Sequence, residues 1–464
     1  MADTAGPGAA LDVPALAEEL GARFAEAGHE LYLVGGTVRD RLLGRTPPDW
    51  DFSTSAPPRE ITAVLRGWAE RQYLVGVRFG TVGALKDGHR LEITTFREEV
   101  YAEEHRKPVV TFGDDVETDL ARRDFTINAM AIRLPGGGFV DPFEGVKALA
   151  ARSLDTPLDP AVSFGDDPLR MVRAARFVAQ LGVTPAPRVV EAMGALADRL
   201  EIVSAERVRD ELDRLLVADD VAAGLALLVD TGLAERFLPE LPALRLEQDP
   251  VHHHKDVLHH TYAVVAGTEP RQRLRLAALL HDIGKPATRR YSADGVSFHH
   301  HEVVGARMAR DRLTALRYPG AVIDDVTTLI ELHLRFHGYG EGWTDAAVRR
   351  YVRDAGPLLD DLNQLTRADV TTRNPKRAEA FRRLQDELEE RIAVLAEQEN
   401  LEAMRPPIDG QAVMARLGIE PGPLVGEALA MLMEKRLDDG PLSEEDAFAV
   451  LDAWVAARGL GDPA

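Results

Sequence analysis

The sequence predicts an α+β fold: strands interleaved with helices over residues 1–150, followed by all-helical domains to residue 464. Three observations predict it. Short apolar runs punctuated by Gly, Pro and Asp-Gly cluster before residue 150 and read as strands joined by tight turns. From about residue 166 the apolar period changes to three and four, the signature of helices, and stays so. The length of 464 residues suggests roughly three domains.

Composition narrows the class. At 45% hydrophobic and 28% charged residues the chain reads as an ordinary soluble globular protein. It has no cysteine, which removes disulfides and thiolate chemistry and fits a reducing cytoplasm. Met1 to Ala10 lacks the basic start and apolar core of a signal peptide, and no apolar run is long enough to span a membrane. The net charge of −21 argues against coating nucleic acid with the whole surface. A polynucleotide would need a local basic track, for which Arg122-Arg123 and Arg170, Arg173 and Arg176 are candidates. Nothing points to an obligate protein partner.

In order, residues 1–10 are a small Gly/Ala-rich tail, expected to be disordered, and 12–27 read as a helix with Leu16, Leu20 and Phe24 at four-residue steps. Leu31 to Val34 is a buried strand. Gly35-Gly36 ends it and opens a helix with Val38 and Leu42 on one face and Gly44 at its end. After Pro47-Pro48 comes a strand from Asp49, then a helix over 57–71. Thr81 to Lys86 and Arg90 to Phe96 flank Asp87-Gly88, a hairpin signal. Residues 98–118, with Glu103 to Pro108 at the centre, read as a mobile loop beside the site, and a short strand pair surrounds Pro135 to Gly138. Beyond residue 166, Asp167, Arg170, Arg173 and Arg176 step by three along one helix flank, and Glu206 to Val217 is amphipathic. Pro239 to Pro250 reads as a linker, 376–400 as a charged helical run, and 405–464 as a terminal helical module. The expected domains are a head at 1–150, a helical neck and body at 151–238, a histidine-rich helical domain at 250–370 and a C-terminal module at 371–464.

Two stretches carry chemistry. A strand, a Gly-Gly turn and a helix N-terminus make a place for an anion, and Arg39 adds a positive fork. Alternation along the next strand puts Asp49, Asp51 and Ser53 on one face and Trp50 and Phe52 on the other. Paired carboxylates repel, and a divalent cation between them resolves the repulsion. A lone Gly-Gly is usually a turn and a lone Asp-x-Asp a solvated loop, but their order and spacing together suggest metal-assisted phosphoryl or nucleotidyl transfer. If the strand carrying Glu92 lies beside that of Asp51, Glu92 supplies a third carboxylate; otherwise it faces solvent. Further on, Arg122-Arg123 suit a triphosphate, and Asp124 and Asn128 suit ribose hydroxyls.

With these residues in view, the first 220 or so positions resemble the class II tRNA nucleotidyltransferase and bacterial poly(A) polymerase superfamily. The resemblance rests on Gly35-Gly36-x-x-Arg39-Asp40 through Asp49-x-Asp51, then Arg122-Arg123-Asp124-Phe125-Thr126-x-Asn128-Ala129, Asp141-Pro142-Phe143-x-Gly145, and Asp166-Asp167-x-x-Arg170. At the last motif Asp166 stands where the family has Glu. The resemblance implies a polymerase-β-like nucleotidyltransferase head, a small mixed sheet with helices, followed by helical neck, body and tail. It assigns Mg2+ binding to Asp49 and Asp51, triphosphate contacts to Gly36, Arg39 and Arg123, and base and phosphate contacts to Asp167, Arg170, Arg173 and Arg176. The expected reaction is template-independent addition of CCA to the tRNA 3′ end from CTP and ATP. Poly(A) synthesis and addition of only CC or only A are the rivals. Arg106, in the charged loop, is a candidate lever between C and A.

Residues His260, His281-Asp282, His301, His333 and Asp369 resemble the ordered pattern of the HD phosphohydrolase superfamily, with Asp324 and Asp325 as competitors for the final position. The resemblance implies a divalent transition-metal site and, as a reading of another class, a metal phosphohydrolase. The runs His252–His254 and His299–His301 are expected to include solvated residues.

Overall fold

The computed structural model describes residues 13–47, 49–77, 80–100, 109–112, 115–246, 256–292, 295–370, 374–399 and 405–458. The expected tail, Glu103 to Pro108 with Arg106, and His252–His254 lie outside them. The chain forms two compact units, Met1–Pro239 and Glu240–Ala464.

The first unit opens with α1 (Ala15–Glu26), β1 (Leu31–Val34), α2 (Gly36–Leu42), β2 (Asp49–Thr54), α3 (Pro58–Val64), β3 (Arg71–Tyr73), β4 (Thr81–Lys86) and β5 (His89–Thr95). After β6 (Arg97–Val100), β7 (Val109–Phe112) and α4 (Val116–Ala121) come β8 (Ala131–Leu134), β9 (Phe139–Val140) and α5 (Gly145–Ala150). Seven strands form one sheet in the order β3-β4-β5-β2-β1-β8-β9. Strand β2 is antiparallel to β1 but parallel to β5, so the sheet is mixed as expected. Asp87 and Gly88 both have positive φ, as the two-residue turn between β4 and β5 requires.

Alternation along the strands sorts side chains onto two cores. Leu31, Leu33, Trp50 and Phe52 pack with Leu20, Phe24 and Ile61 on one face. Tyr32 and Val34 pack with Phe96 and Leu120 on the other. Burying Phe52 fixes β2 in place, and truncating such a side chain to Ala costs about 3–5 kcal/mol.

Two expectations in this half are corrected. The helix predicted over 57–71 ends at Val64: Gly67, with φ +74, turns the chain toward β3. The charged stretch 98–118 is not all loop, since β6 and β7 pair antiparallel and α4 starts at Val116, capped by Asp115.

Helices α6 (Pro160–Asp166), α7 (Leu169–Leu181), α8 (Pro187–Ala195), α9 (Ala205–Leu216), α10 (Val221–Asp230) and α11 (Ala234–Phe237) complete the unit. The predicted stripe Val208, Leu212, Leu215 and Leu216 is the buried face of α9. Asp167 is not on the flank of α7, however. It sits in extended conformation between α6 and α7, because a residue before proline is disfavoured from helix and Pro168 follows.

The second unit is helical. It contains α12 (Val257–Gly267), α13 (Gln272–Leu280), α14 (Lys285–Thr288), α15 (His301–Ala315), α16 (Gly320–Leu332), α17 (Asp345–Ala355) and α18 (Leu359–Asp369), followed by the long α19 (Pro375–Glu399). The C-terminal helices α20 (Gly410–Leu417), α21 (Pro423–Asp439) and α22 (Glu444–Arg458) share a separate core around Val413, Ala428, Leu432 and Leu451. The expected linker at 239–250 is partly structural: Leu241 and Leu244 are buried, and Glu240 holds Arg312 of α15 by a two-oxygen ion pair at 2.9–3.1 Å.

Candidate active site and metal centre

Strand register builds the first site. In the parallel β2–β5 pair, Asp51 lies directly opposite Glu92, so the third carboxylate stands beside the first two. Burial raises the Asp51 carboxyl above its usual range, and the Asp49 charge adds to this while Arg123 opposes it. Burial likewise raises Glu92, helped by Asp51 and Asp49. Three acids on adjacent strands, two of them disfavoured as anions, form a donor set that fits hard divalent cations. Thr37, in the first turn of α2, clips this strand: its hydroxyl accepts from Asp51 N–H at 3.0 Å and donates to the Asp49 carbonyl at 3.3 Å.

Gly35 has φ +70 and ψ −139, which lets β1 turn directly into α2. A Cβ there would lie 2.6 Å from Arg123 Nη1, and Asp51 Oδ2 is 3.8 Å from the same point. Gly35, Arg123 and Asp51 therefore converge. Arg123 is aimed by hydrogen bonds from Nη2 to Ser53 Oγ and to Asp119 Oδ2, each 3.2 Å, and Ser53 donates to that same Asp119 oxygen at 2.9 Å. A polar cavity of about 410 Å3 opens here, lined by Asp51, Ser53, Glu92, Arg122, Arg123 and Arg173 among others. Gly36 begins α2, and the N–H groups that open a helix suit an anion.

The remaining expected nucleotide residues divide. Arg39 donates to Asn128 Oδ1 at 2.7 Å, Asn128 donates to Asp124 Oδ1 at 2.9 Å, and Arg173 pairs with Asp124 at 2.8 Å. This chain ties α2 to α7 through the buried Asp124. Burial alone would raise the Asp124 carboxyl, but Arg173 and the Asn128 hydrogen bond outweigh it and lower it. Asp124 and Asn128 thus spend hydrogen-bonding capacity inside the protein, a use their residue types did not announce. Arg170 is held by Ser163 Oγ at 2.8 Å and the Arg122 carbonyl at 2.6 Å, at the end of α7 nearest Asp167. Arg176 is not brought to the cavity: it is buried against Glu211 of α9 at 2.5 Å, with its guanidinium 4.2 Å from the Phe177 ring centre. Thr37, Ser53 and Asp119 were not singled out for these supporting roles, although Ser53 shares the aspartate face by strand alternation.

In the second unit, four helix ends and one helix interior bring the expected histidines and aspartates together. Two clusters have ligand atoms within 4.8 Å of one another: His260, His281 and Asp369, and Asp282, His301 and His333. They adjoin, with His281 Nε2 3.2 Å from Asp282 Oδ2. Asp324 and Asp325 are instead paired with Arg310 and Arg273, so Asp369 occupies the final position. Within the run His299–His301, only His301 is buried. The close approach of α15 depends on Gly284, where a Cβ would lie 2.2 Å from the His301 carbonyl.

The imidazoles are oriented for a cation. His281, His301 and His333 each direct Nδ1 at a backbone carbonyl, of Ala278, Phe298 and Ile330, at 2.8, 2.8 and 2.6 Å. That turns Nε2 inward, where the neutral imidazole offers its lone pair. His301 Nε2 and His333 Nε2 are buried without a hydrogen-bond partner, which a metal ion would satisfy. Burial alone would lower His281, but Asp282 and Asp369 raise it to about 10. Burial and the neighbouring His281 charge push His333 down to about 4.

Comparison with known proteins gives the family. Residues 31–155 match the family model of the poly A polymerase head domain, and 182–244 that of the probable RNA and SrmB-binding site of polymerase A. Residues 251–374 match the HD domain. The chain is 36% identical to an A-adding tRNA nucleotidyltransferase of Deinococcus radiodurans, covering 91% of this chain and 95% of that one. It is 32% identical to a CC-adding tRNA nucleotidyltransferase of Thermus thermophilus, over 92% and 94% of the two chains. A CCA-adding enzyme of Anoxybacillus flavithermus is 43% identical over 47% of this chain and 54% of its own. The crystal structure of the Bacillus stearothermophilus CCA-adding enzyme in complex with CTP superposes with a TM-score of 0.70 at 26% identity, covering 97% of this chain and 100% of that one. The family relationship implies divalent-metal use. No helix among the described residues is long and apolar enough to cross a membrane. The chain belongs to the tRNA nucleotidyltransferase family, with a mixed-sheet nucleotidyltransferase head followed by helical domains that include an HD domain.

Proposed function

We propose that the protein adds CCA to the 3′ end of tRNA without a template, using CTP and ATP. The observation that carries this reading is the alignment of Asp51 with Glu92 across parallel strands, beside Gly35 and Arg123 and facing one polar cavity. In it, Asp49 and Asp51, with Glu92, hold Mg2+. Divalent cations held there would supply a lowered pKa for the attacking hydroxyl and charge neutralisation for the triphosphate and leaving pyrophosphate. Arg123, aimed by Ser53 and Asp119, binds triphosphate oxygens, with Gly36 and Arg39 at the start of α2 beside it.

Base choice falls to Asp167 and Arg170. A carboxylate accepts from an exocyclic amine, and a guanidinium donates to a ring nitrogen or carbonyl. Cytosine and adenine offer both partners, whereas uracil and guanine set an oxygen against Asp167. Such a mismatch costs about 1–3 kcal/mol. Arg173, through its pair with Asp124, links this pocket to the cavity. We place the head at 1–150, the neck and body at 151–238, the HD domain at 250–370 and the tail at 371–464. The clustered histidines hold a second divalent metal of transition type, and phosphate-ester hydrolysis there is a possible additional activity of that domain. A tRNA-processing activity that consumes CTP and ATP belongs in the cytoplasm.

Incubating the protein with Mg2+, a tRNA lacking its 3′ CCA and each nucleotide singly and together tests the reading. Two C additions, then one A, then a stop is the expected product. A second reading, addition of only CC or only A, is favoured by one observation: two relatives that match nearly end to end are A-adding and CC-adding enzymes. Products ending at CC, or A added only to a CC end, would establish it. An unlimited A tail would indicate poly(A) synthesis. Phosphate release without transfer would move the main activity to the HD domain.

A further inference from the structure

We propose that Arg207 is a specificity-determining positioning residue, which aims the Asp167 carboxylate so that only a base presenting an amine is accepted. This rests on the reading of Asp167 as the base-facing acid. Asp167 stands in the short extended junction between α6 and α7, where a carboxylate has no helical neighbours to fix its rotamer. Two donors fix it instead. The Leu169 N–H reaches Oδ1 at 3.2 Å, and Arg207 Nη2 reaches Oδ2 at 2.9 Å.

Arg207 belongs to the first turn of α9, forty residues further along the chain. The same downstream segment grips the junction a second time, since Arg199 Nη2 donates to the Gly165 carbonyl at 3.0 Å. Helix α9 is locked to α7 by the buried Arg176–Glu211 pair, so the position of Arg207 relative to Asp167 is set by packing. Arg176 therefore contributes to the pocket through α9 rather than by touching the nucleotide.

The chemistry follows from the oxygen's capacity. A carboxylate oxygen accepts two hydrogen bonds. With Arg207 on one side of Oδ2, the other side remains for an exocyclic amine. A carboxylate offers no hydrogen to the O4 of uracil or the O6 of guanine. Without Arg207 the carboxylate can rotate out of register, and the penalty for a wrong base shrinks.

The test measures kcat/KM for CTP and for UTP in the first addition to tRNA lacking CCA. Arg207 is half exposed and its ion pair lies at the surface, so Arg207→Ala keeps the fold. The CTP-over-UTP ratio is expected to fall about tenfold in Arg207→Ala, the effect of a weakened polar match. Arg207→Lys, which retains the charge but not the fork, recovers part of it. Asp167→Ala loses at least as much, and Arg207→Ala made in that background adds nothing. A normal ratio in Arg207→Ala, while Asp167→Ala loses it, overturns the role of Arg207 and leaves the pocket standing. Additive losses in the double variant also overturn it, because Arg207 would then act elsewhere. An unchanged ratio in Asp167→Ala overturns the pocket and Arg207's role together.

Discussion

The two glycines at the head of α2 look equivalent in sequence, yet the structure separates them sharply. Gly35 has φ +70 with ψ −139, a region open essentially only to glycine, and a Cβ there would meet Arg123 Nη1 at 2.6 Å. Gly36 lies inside the helix, and its Cβ would meet only the Arg39 guanidinium at ordinary contact distances from 3.5 Å. Alanine at Gly35 therefore incurs backbone strain of about 1–3 kcal/mol. It also displaces Arg123 from Ser53 and Asp119, at about 0.5–1.5 kcal/mol for each hydrogen bond. Gly35→Ala should destabilise the first unit by about 2–6 kcal/mol, which lowers its melting temperature by about 2–4 °C per kcal/mol for a unit of this size. Nucleotidyl transfer should fall about 100-fold, because Arg123, proposed to bind the triphosphate, is pushed away from the acids. Gly36→Ala should melt at or slightly above the parent temperature, since alanine suits a helix by about 0.5–1 kcal/mol. Differential scanning calorimetry and single-addition kinetics read both effects. Equal melting temperatures and equal rates for Gly35→Ala and the parent would refute the reasoning.

Other outcomes follow from the two sites. Glu92→Gln removes one of three clustered carboxylates, so the Mg2+ concentration for half-maximal transfer should rise several-fold, and a Mg2+ titration of the rate checks this. Asp51 and Glu92 are both raised, so their charged forms appear only as pH climbs past the ordinary carboxylate range. Protonated acids bind cations poorly, so Mg2+ affinity should increase with pH through that range and flatten above it. In the HD domain, His301→Ala and His333→Ala should lower bound divalent metal, measured by elemental analysis, while CMP transfer persists. His281, held at about 10 without a metal, must lose a proton to become a ligand. Mn2+ binding at pH 8 should therefore release about one proton, whereas an ordinary imidazole with pKa near 6.5 would release almost none. Calorimetric titration in two buffers of different ionisation enthalpy measures it, and zero release would show that the raised value is wrong.

What the sequence made legible was local or periodic. Alternation placed Trp50 and Phe52 in the core and the two aspartates opposite, and Asp87-Gly88 marked a turn that needs two positive φ angles. The order of His260, His281, Asp282, His301, His333 and Asp369 survived folding because helix ends carry most of them inward. Non-local pairing was harder to read. Nothing in the chain before β5 states that it will lie parallel to β2, so the neighbourhood of Asp51 and Glu92 remained conditional on the sheet order. The three-residue step from Asp167 to Arg176 misled because it treats α7 as an isolated cylinder. Pro168 takes Asp167 out of the helix, and Glu211, thirty-five residues on, draws Arg176 into the interior. An Asp-Pro step was visible, but a buried partner for one arginine among many was not. The same applies to Asp124, whose destination inside the protein depends on Arg173 and Asn128 together.

These two kinds of placement have different consequences for function. Asp49, Asp51 and Glu92 are positioned by strand register, which cannot shift by one residue without turning every core side chain to the wrong face. The geometry of the carboxylate set is therefore all-or-none. Asp167 is positioned by an arginine from a separate helix and by a short proline-bounded junction, and those contacts are adjustable one at a time. A surface ion pair contributes about 0–1 kcal/mol to stability, so on the proposed role of Asp167 changes near Arg199 and Arg207 would redirect base choice without threatening the fold. Chemistry and selectivity are thus mechanically separable. That near full-length relatives are named for adding A and for adding CC fits such a division on the proposed reading, in which Asp49, Asp51 and Glu92 hold the metal and the Asp167 junction sets base choice.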